Sequence, residues 1–218
     1  MTNFKTIADG EIFNAAYDVN KSKFLAHVKH VVSPEAAREF ILMIRKKYFD
    51  ATHNCSAWVL GERGDKQKSN DDGEPGGTAG NPILETIKKN ELTNCVVVVT
   101  RYFGGVKLGA GGLIRAYSHT AALGLANSKI VRMIAFQKIS LTIEYNFLAT
   151  VENYLRNKKI RVASTDYADV VTLEILLLPA QVESFLVELN DLTAANFLYE
   201  ERGEILIPVE VFSNQNLN

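Results

Sequence analysis

Residues 71–117 read DDGEPGGTAGNPILETIKKNELTNCVVVVTRYFGGVKLGAGGLIRAY, and the order of elements inside this stretch decides the fold. Two glycine clusters flank a continuous apolar run, residues 95–99, that ends in the charged Arg101. The run has the composition of a buried strand bounded by turn residues. The second cluster, Gly104, Gly105, Gly109, Gly111 and Gly112, leads into an amphipathic segment beginning at Leu113. A strand, a glycine loop and a helix start make a natural anion site. The first N–H groups of a helix lack internal partners and carry the positive end of its dipole. Arg101, Lys107 and Arg115 add cationic donors to the same neighbourhood. The loop is not a Walker A, because no Lys-Ser or Lys-Thr follows at the required spacing, and the GxGxxG spacing fails at Ile114. Glycines also serve simply to turn a backbone or to let elements pack closely, and that reading stands beside the first.

Upstream, residues 11–19 and 23–32 have strand content on either side of a turn, which predicts a hairpin. Ser33-Pro34 is a helix start, with Ala37, Phe40, Ile41, Ile44 and Tyr48 at helical spacing behind it. Residues 54–60 read as a short buried strand holding the only tryptophan, Trp58, and residues 61–70 as a polar surface loop without period. Helices are expected over 78–90 and from about 112 to 126, with a strand at 130–136 closing a first domain, residues 1–136. A second domain, residues 137–218, then reads β-α-β-β-α-β, the ferredoxin-like pattern. Its last strand is split into a hairpin, 197–199 and 205–211, across Glu201-Arg202-Gly203, and Pro208 suggests an edge position. The fold class is α+β, in two domains.

Composition is that of an ordinary globular protein, 47% hydrophobic and 22% charged. The first residues, MTNFKTIADGEIFNAAYDV, lack the apolar core of a signal peptide, and no run approaches membrane-span length. Cys55 and Cys95 form no metal-spacing pattern and read as reduced thiols in strands, so a cytoplasmic protein is expected. Charge is uneven. Residues 1–136 hold 18 Lys and Arg against 13 Asp and Glu, net +5, while residues 137–218 are net −6. The first domain is therefore the one to meet a polyanion.

Other residues carry chemistry if they converge. Asp71, Asp72 and Glu74 supply the hard oxygens a divalent cation wants, with His53 as a neighbour, and also make a plain solvated turn. Asp72 or Glu74 pairing with Arg101 or Lys107 is a third arrangement. His53 and Cys55 share a strand face, the spacing of a Cys/His pair, yet neutral structural roles suit both. His119 lies one helical turn from Arg115, and Tyr102 and Phe103 at the loop entrance can stack on bases or pack beneath the glycines.

These residues resemble a known family. Residues 80–109, GNPILETIKKNELTNCVVVVTRYFGGVKLG, are similar without departure to the signature segment of the IMPACT/YigZ family. Asp71-Asp72-Gly73-Glu74-Pro75, Gly77-Thr78-Ala79-Gly80 and His53-Asn54-Cys55-Ser56-Ala57-Trp58 match as well. The resemblance covers residues 1–136, and the tail resembles the short C-terminal domain of bacterial members. It implies an N-terminal domain like the second domain of ribosomal protein S five and a ferredoxin-like C-terminal domain like the last domain of elongation factor G. It also implies work in translation, since eukaryotic members interfere with activation of an initiation-factor kinase. That mechanism depends on eukaryotic partners and on an additional N-terminal domain that is not expected here, and the resemblance carries over no catalytic residues.

Two functions follow. One is a binding module that grips RNA, the ribosome or a translation factor through Arg101, Lys107, Arg115 and the glycine loop, with no cofactor. The other is a phosphate-ester or nucleotide-dependent enzyme, a hydrolase or phosphoryl transferase, using the loop and a divalent cation at the acidic cluster. The binding module comes first, because no positioned base or nucleophile stands out. Oligomeric state has no signal in the sequence.

Overall fold

A computed structural model describes residues 1–210. Its chain forms two compact units, one of residues 2–133 with 208–210, the other of Met1 with residues 134–207.

The N-terminal unit is built on a five-stranded antiparallel sheet in the order β2-β3-β6-β4-β5. These strands are β2 (Ile12–Val19), β3 (Ser22–His30), β4 (His53–Leu60), β5 (Lys66–Asn70) and β6 (Cys95–Tyr102). The apolar run sits where a strand buried on both faces must, at the centre: residues 95–101 of β6 are all buried. Helix α1 (Pro34–Lys47) lies on one face, its Ala37, Phe40 and Ile44 meeting Val96, Val98 and Leu60. Helices α2 (Gly80–Lys89) and α3 (Gly109–Ala126) cover the other, packing Ile83, Ile87, Tyr117 and Ala121 on Cys55, Ala57, Val97 and Val99. Ser33 caps α1 as its sequence indicates, the hydroxyl accepting from the Ala36 amide at 3.1 Å. The helix-to-sheet approach is tight at Gly124, where a Cβ would lie 2.8 Å from the Ala26 methyl. A short strand, β1 (Phe4–Ile7), pairs with the first four residues of β7 (Ile130–Ile143).

In the second unit β7, β9 (Val171–Leu177) and β8 (Arg161–Tyr167) pair antiparallel, and β10 (Phe197–Glu210) pairs with β7. Helices α4 (Tyr145–Asn157) and α5 (Val182–Thr193) put Val151, Leu155, Phe185 and Leu189 onto Ile139, Leu141, Leu173 and Ile175. The order β-α-β-β-α-β stands.

Four details of the sequence reading are corrected. The two strands expected at 130–136 and from Ile139 onward are one strand of 14 residues. Residues 130–143 contain no Gly, Pro, Asn or Asp to break it, and the two-residue period continues in phase from Val131 to Ile143. The terminal hairpin is likewise one strand, in which Gly203 at φ +84° marks a local bend rather than a turn. Val211, its expected end, lies outside the described residues. The second half of the polar loop is the strand β5, paired with β4 from Leu60↔Lys66 to Ser56↔Asn70. An edge strand with almost no buried side chain leaves no apolar period to read. Finally, α3 begins at Gly109, so Gly109, Gly111 and Gly112 belong to its first turn and only Gly104 and Gly105 to the loop.

Candidate anion-binding surface

The segment 71–77 and the loop 103–108 each precede a helix of the same layer, and their chemistry differs. Asp71 answers the start of α2. Its Oδ1 accepts from the amides of Ala79 at 3.0 Å and Gly80 at 2.8 Å, and its Oδ2 from Gly77 at 2.8 Å. Partial burial alone would raise the Asp71 carboxyl, but the three amide donors outweigh it and hold it below its ordinary value. Asp72 turns the other way, accepting from the Arg45 guanidinium of α1 and, at 2.6 Å, from the Asn54 amide of β4. Glu74 is buried, and its Oε1 accepts from Arg101 Nη1 at 2.7 Å and the Tyr117 hydroxyl at 2.7 Å. The acidic cluster is thus dispersed into a helix cap, a tie to α1 and a buried ion pair. Among the described residues no three His, Cys, Asp or Glu side chains converge as metal ligands. The carboxylates expected to share a cation are each committed to protein donors.

Arg101 is corrected as well. It is only 5% exposed, and its guanidinium carbon lies 5.4 Å from the Phe24 ring centroid and 5.3 Å from that of Phe103. The pairing of Glu74 with Arg101 is the third arrangement anticipated above, and it anchors the base of the glycine loop to α3 through Tyr117. A buried pair of this kind needs its remaining polar atoms satisfied. Tyr117 and Glu74 share one bond, while Arg101 Nε is buried without a partner among the described residues.

His53 and Cys55 line the same face, but both donate to backbone rather than to each other. His53 Nδ1–H donates to the Asp72 carbonyl at 2.8 Å, leaving Nε2 at 3.9 Å from Glu74 Oε1. The Cys55 thiol donates to the Asp71 carbonyl at 2.9 Å, and burial pushes it up to about 12, which keeps it a neutral thiol. Burial, then the adjacent Cys55 and Glu74, push the Tyr117 hydroxyl far up, so it serves as a donor.

The start of α3 is different in kind. Among the described residues no side chain caps it; no acidic residue stands in its first turn, and Gly109, Ala110 and Gly111 are exposed. Gly104 is required by packing, since a Cβ there would fall 1.9 Å from the Lys21 carbonyl oxygen in the β2–β3 turn. The bland reading of the glycines holds at that position. Lys107 and Arg115 are exposed, and neither enters an ion pair among the described residues. Phe103 is 44% exposed, and Val106 and Ile114 also reach solvent. Tyr102 is tied down by its hydroxyl, which donates to Asp50 at 2.9 Å. His119 stacks edge-on against Tyr17, centroids 4.6 Å apart, and lines a groove between α2 and α3 together with Arg115 and Lys89. A further signal was available in the sequence: between Glu91 and Glu144 the chain contains no carboxylate residue at all. Nothing on these segments neutralises their cations locally.

An α+β unit with this surface, followed by a ferredoxin-like unit, makes a two-domain protein whose first domain is of the Impact type. The model of the Impact N-terminal domain matches residues 20–125, and a domain of unknown function (DUF1949) matches residues 141–196. The chain belongs to the IMPACT family. It is 42% identical over 175 residues to the IMPACT family member YvyE of Bacillus subtilis, covering 80% of this chain and 81% of that protein. To the family member YigZ of Escherichia coli it is 35% identical over 176 residues, 80% of this chain and 86% of that one. A Dictyostelium discoideum IMPACT homolog is 40% identical over 103 residues, 45% of this chain and 28% of that protein. A crystal structure described as a hypothetical protein superposes at TM-score 0.58 and 28% identity, covering 98% of this chain and 100% of that one. Among the described residues no helix is long and apolar enough to cross a membrane.

Proposed function

We propose that this protein is a cytoplasmic, translation-associated regulator that binds RNA, free or within the ribosome, through the open start of α3. The observation that carries the reading is the uncapped helix start flanked by the unpaired Lys107 and Arg115. Free amides and a helix dipole favour phosphate oxygens, two exposed cations add salt-sensitive contacts, and the exposed Phe103 offers a face for a base. Membership in a family with eukaryotic IMPACT homologues supports the translational setting. Arg101, with its guanidinium on Glu74, acts in this reading as the pin that sets the loop and not as a ligand contact.

The test is co-sedimentation with ribosomes and with purified ribosomal RNA across a salt series. Wild type is expected to associate at low salt and to dissociate steeply as salt rises. Lys107→Glu/Arg115→Glu is expected to lose the association while keeping its thermal unfolding profile. Association unchanged in that variant, or absent from wild type at low salt, would sink the proposal. Binding to assembled ribosomes but not to naked RNA would redirect it to a ribosomal protein or a translation factor.

A further inference from the structure

On the opposite face of the same sheet lies a second cationic feature that the reading above does not use. Helix α1 sits over the middle of the sheet and leaves the groove-side face of the edge strand β5 uncovered. Its buried stripe is Ala37, Phe40 and Ile44, and the adjacent stripe at helical spacing is Pro34, Arg38, Ile41, Leu42 and Arg45. Across from it, β5 pairs Lys68 with Trp58 and Lys66 with Leu60, so both lysines share the α1 face. The result is a groove with Trp58, Ile41 and Leu42 as apolar lining and Arg38, Arg45 and Lys68 as cations. No Asp or Glu lines it. Arg45 is already held by Asp72, whereas Arg38 and Lys68 enter no ion pair among the described residues. Leu42 is 55% exposed, and β5 ends the strand order, with no strand on its outer side among the described residues.

We propose that this groove docks an extended acidic peptide of a partner protein, laid along β5, whose groove-facing positions, every second residue, carry carboxylates and apolar side chains. The alternation follows from geometry. Side chains of an added strand repeat every second residue, which matches the i, i+2 spacing of Lys66 and Lys68. Opposite charges across a strand pair are favourable, whereas a lysine-bearing edge repels basic strands and gains nothing from neutral ones for the hydration its ammonium groups would lose, so the same residues that guard the edge select the partner. The lining decides between peptide and nucleic acid. Among the described residues Trp58 is the groove's one aromatic side chain and is partly buried on the apolar cluster beneath α1, which leaves little face for stacking a base, while Ile41 and Leu42 want apolar side chains.

Trp58 is the only tryptophan of the chain, so its fluorescence reports directly on the groove. The probe is a short soluble peptide with Glu, Glu and Leu at successive alternate positions and Ser between them, compared with the same peptide carrying Gln for Glu and with oligouridine. The Glu/Leu peptide is expected to shift the Trp58 emission saturably, and Arg38→Glu and Lys68→Glu are each expected to weaken it at least tenfold. Lys107→Glu/Arg115→Glu should leave that titration unchanged, which separates this site from the α3 surface. Equal binding of the Gln peptide, no loss in either charge reversal, or no emission change at all would overturn the proposal. An oligouridine titration with the same response and the same sensitivity to Arg38→Glu would instead make the groove a nucleic-acid site. Leu42→Ser, on an exposed position, checks the apolar share without disturbing the core and should weaken the peptide severalfold.

Discussion

The segments before α2 and before α3 look alike in sequence, rich in glycine and close to charge, yet one helix start is closed and the other open. At α2 the donors of the first turn are met by Asp71, and the neighbouring Asp72 and Glu74 tie the segment to α1, β4, β6 and α3. At α3 the first turn carries no carboxylate, and Lys107 and Arg115 stand beside it. Glycine content therefore says little about whether a helix start is available to a ligand. What decides is whether the chain supplies its own anion.

The strongest way to break the closed side is Glu74→Ala. Removing the carboxylate leaves Arg101 buried beside two rings with no counter-charge, a change that destabilises by about 3–5 kcal/mol in comparable buried pairs. Urea unfolding followed at Trp58, which sits in the same unit, measures it. A loss below about 1 kcal/mol would mean that Arg101 finds water or another partner and that the pair is not a hub. Glu74→Leu/Arg101→Met, which removes both charges, is expected to recover most of the loss.

Asp71→Ala comes next, with an expected loss of about 1–2 kcal/mol, since it strips a cap that accepts from three amides. The pH dependence has a definite sign. The Asp71 carboxyl is held below its ordinary value, so its contribution is complete above the unfolded pKa of about 4 and disappears as pH falls through the lower folded value. Wild type and Asp71→Asn should differ in unfolding free energy at neutral pH and converge in acid. A constant difference across that range would show that the amides are satisfied without the charge.

Much of this architecture was legible because local signals agreed with burial. The run from Cys95 to Val99 has to be a central strand, and Ser33-Pro34 fixes the start of α1. The places where reading failed share a physical cause. β5 is held by backbone pairing at an exposed edge, so Lys66–Asn70 carries no apolar period, and the unbroken β7 hides behind the polar Gln137 and Lys138. The carboxylates of Asp71, Asp72 and Glu74 are three neighbours in sequence that point to three different elements. That divergence depends on Asp72 at φ +47° and Gly73 at φ +88°, which a one-dimensional pattern does not display. Lys107 and Arg115 were identifiable from charge, whereas the burial of Arg101 followed from its place at the end of the central strand.

Converting the open helix start into a closed one sharpens the comparison. Gly111 has helical backbone, and a Cβ there would meet only Arg115 Nη1, at 3.6 Å, an ordinary contact. Gly111→Asp would place a carboxylate in the first turn of α3 and four residues before Arg115. It is expected to stabilise by about 0.5–1 kcal/mol through the dipole and the new pair. The same change should weaken RNA binding, because the protein now supplies the anion that the surface lacks. Stabilisation without loss of binding would place the RNA contact elsewhere.

The smallest stability effect is expected where the binding effect is cleanest. Lys107→Gln and Arg115→Gln remove exposed cations that enter no ion pair among the described residues, so each should change unfolding free energy by no more than about 0.5 kcal/mol. If each cation displaces a counterion from a phosphate, each variant lowers the slope of log affinity against log salt by about one, and the two changes add. A slope unchanged in both single variants would exclude phosphate contact at these side chains, whatever happened to affinity. A slope reduced in Lys107→Gln alone would confine the contact to the loop. The groove between α2 and α3, which Arg115 shares with His119, would then be left outside the RNA footprint.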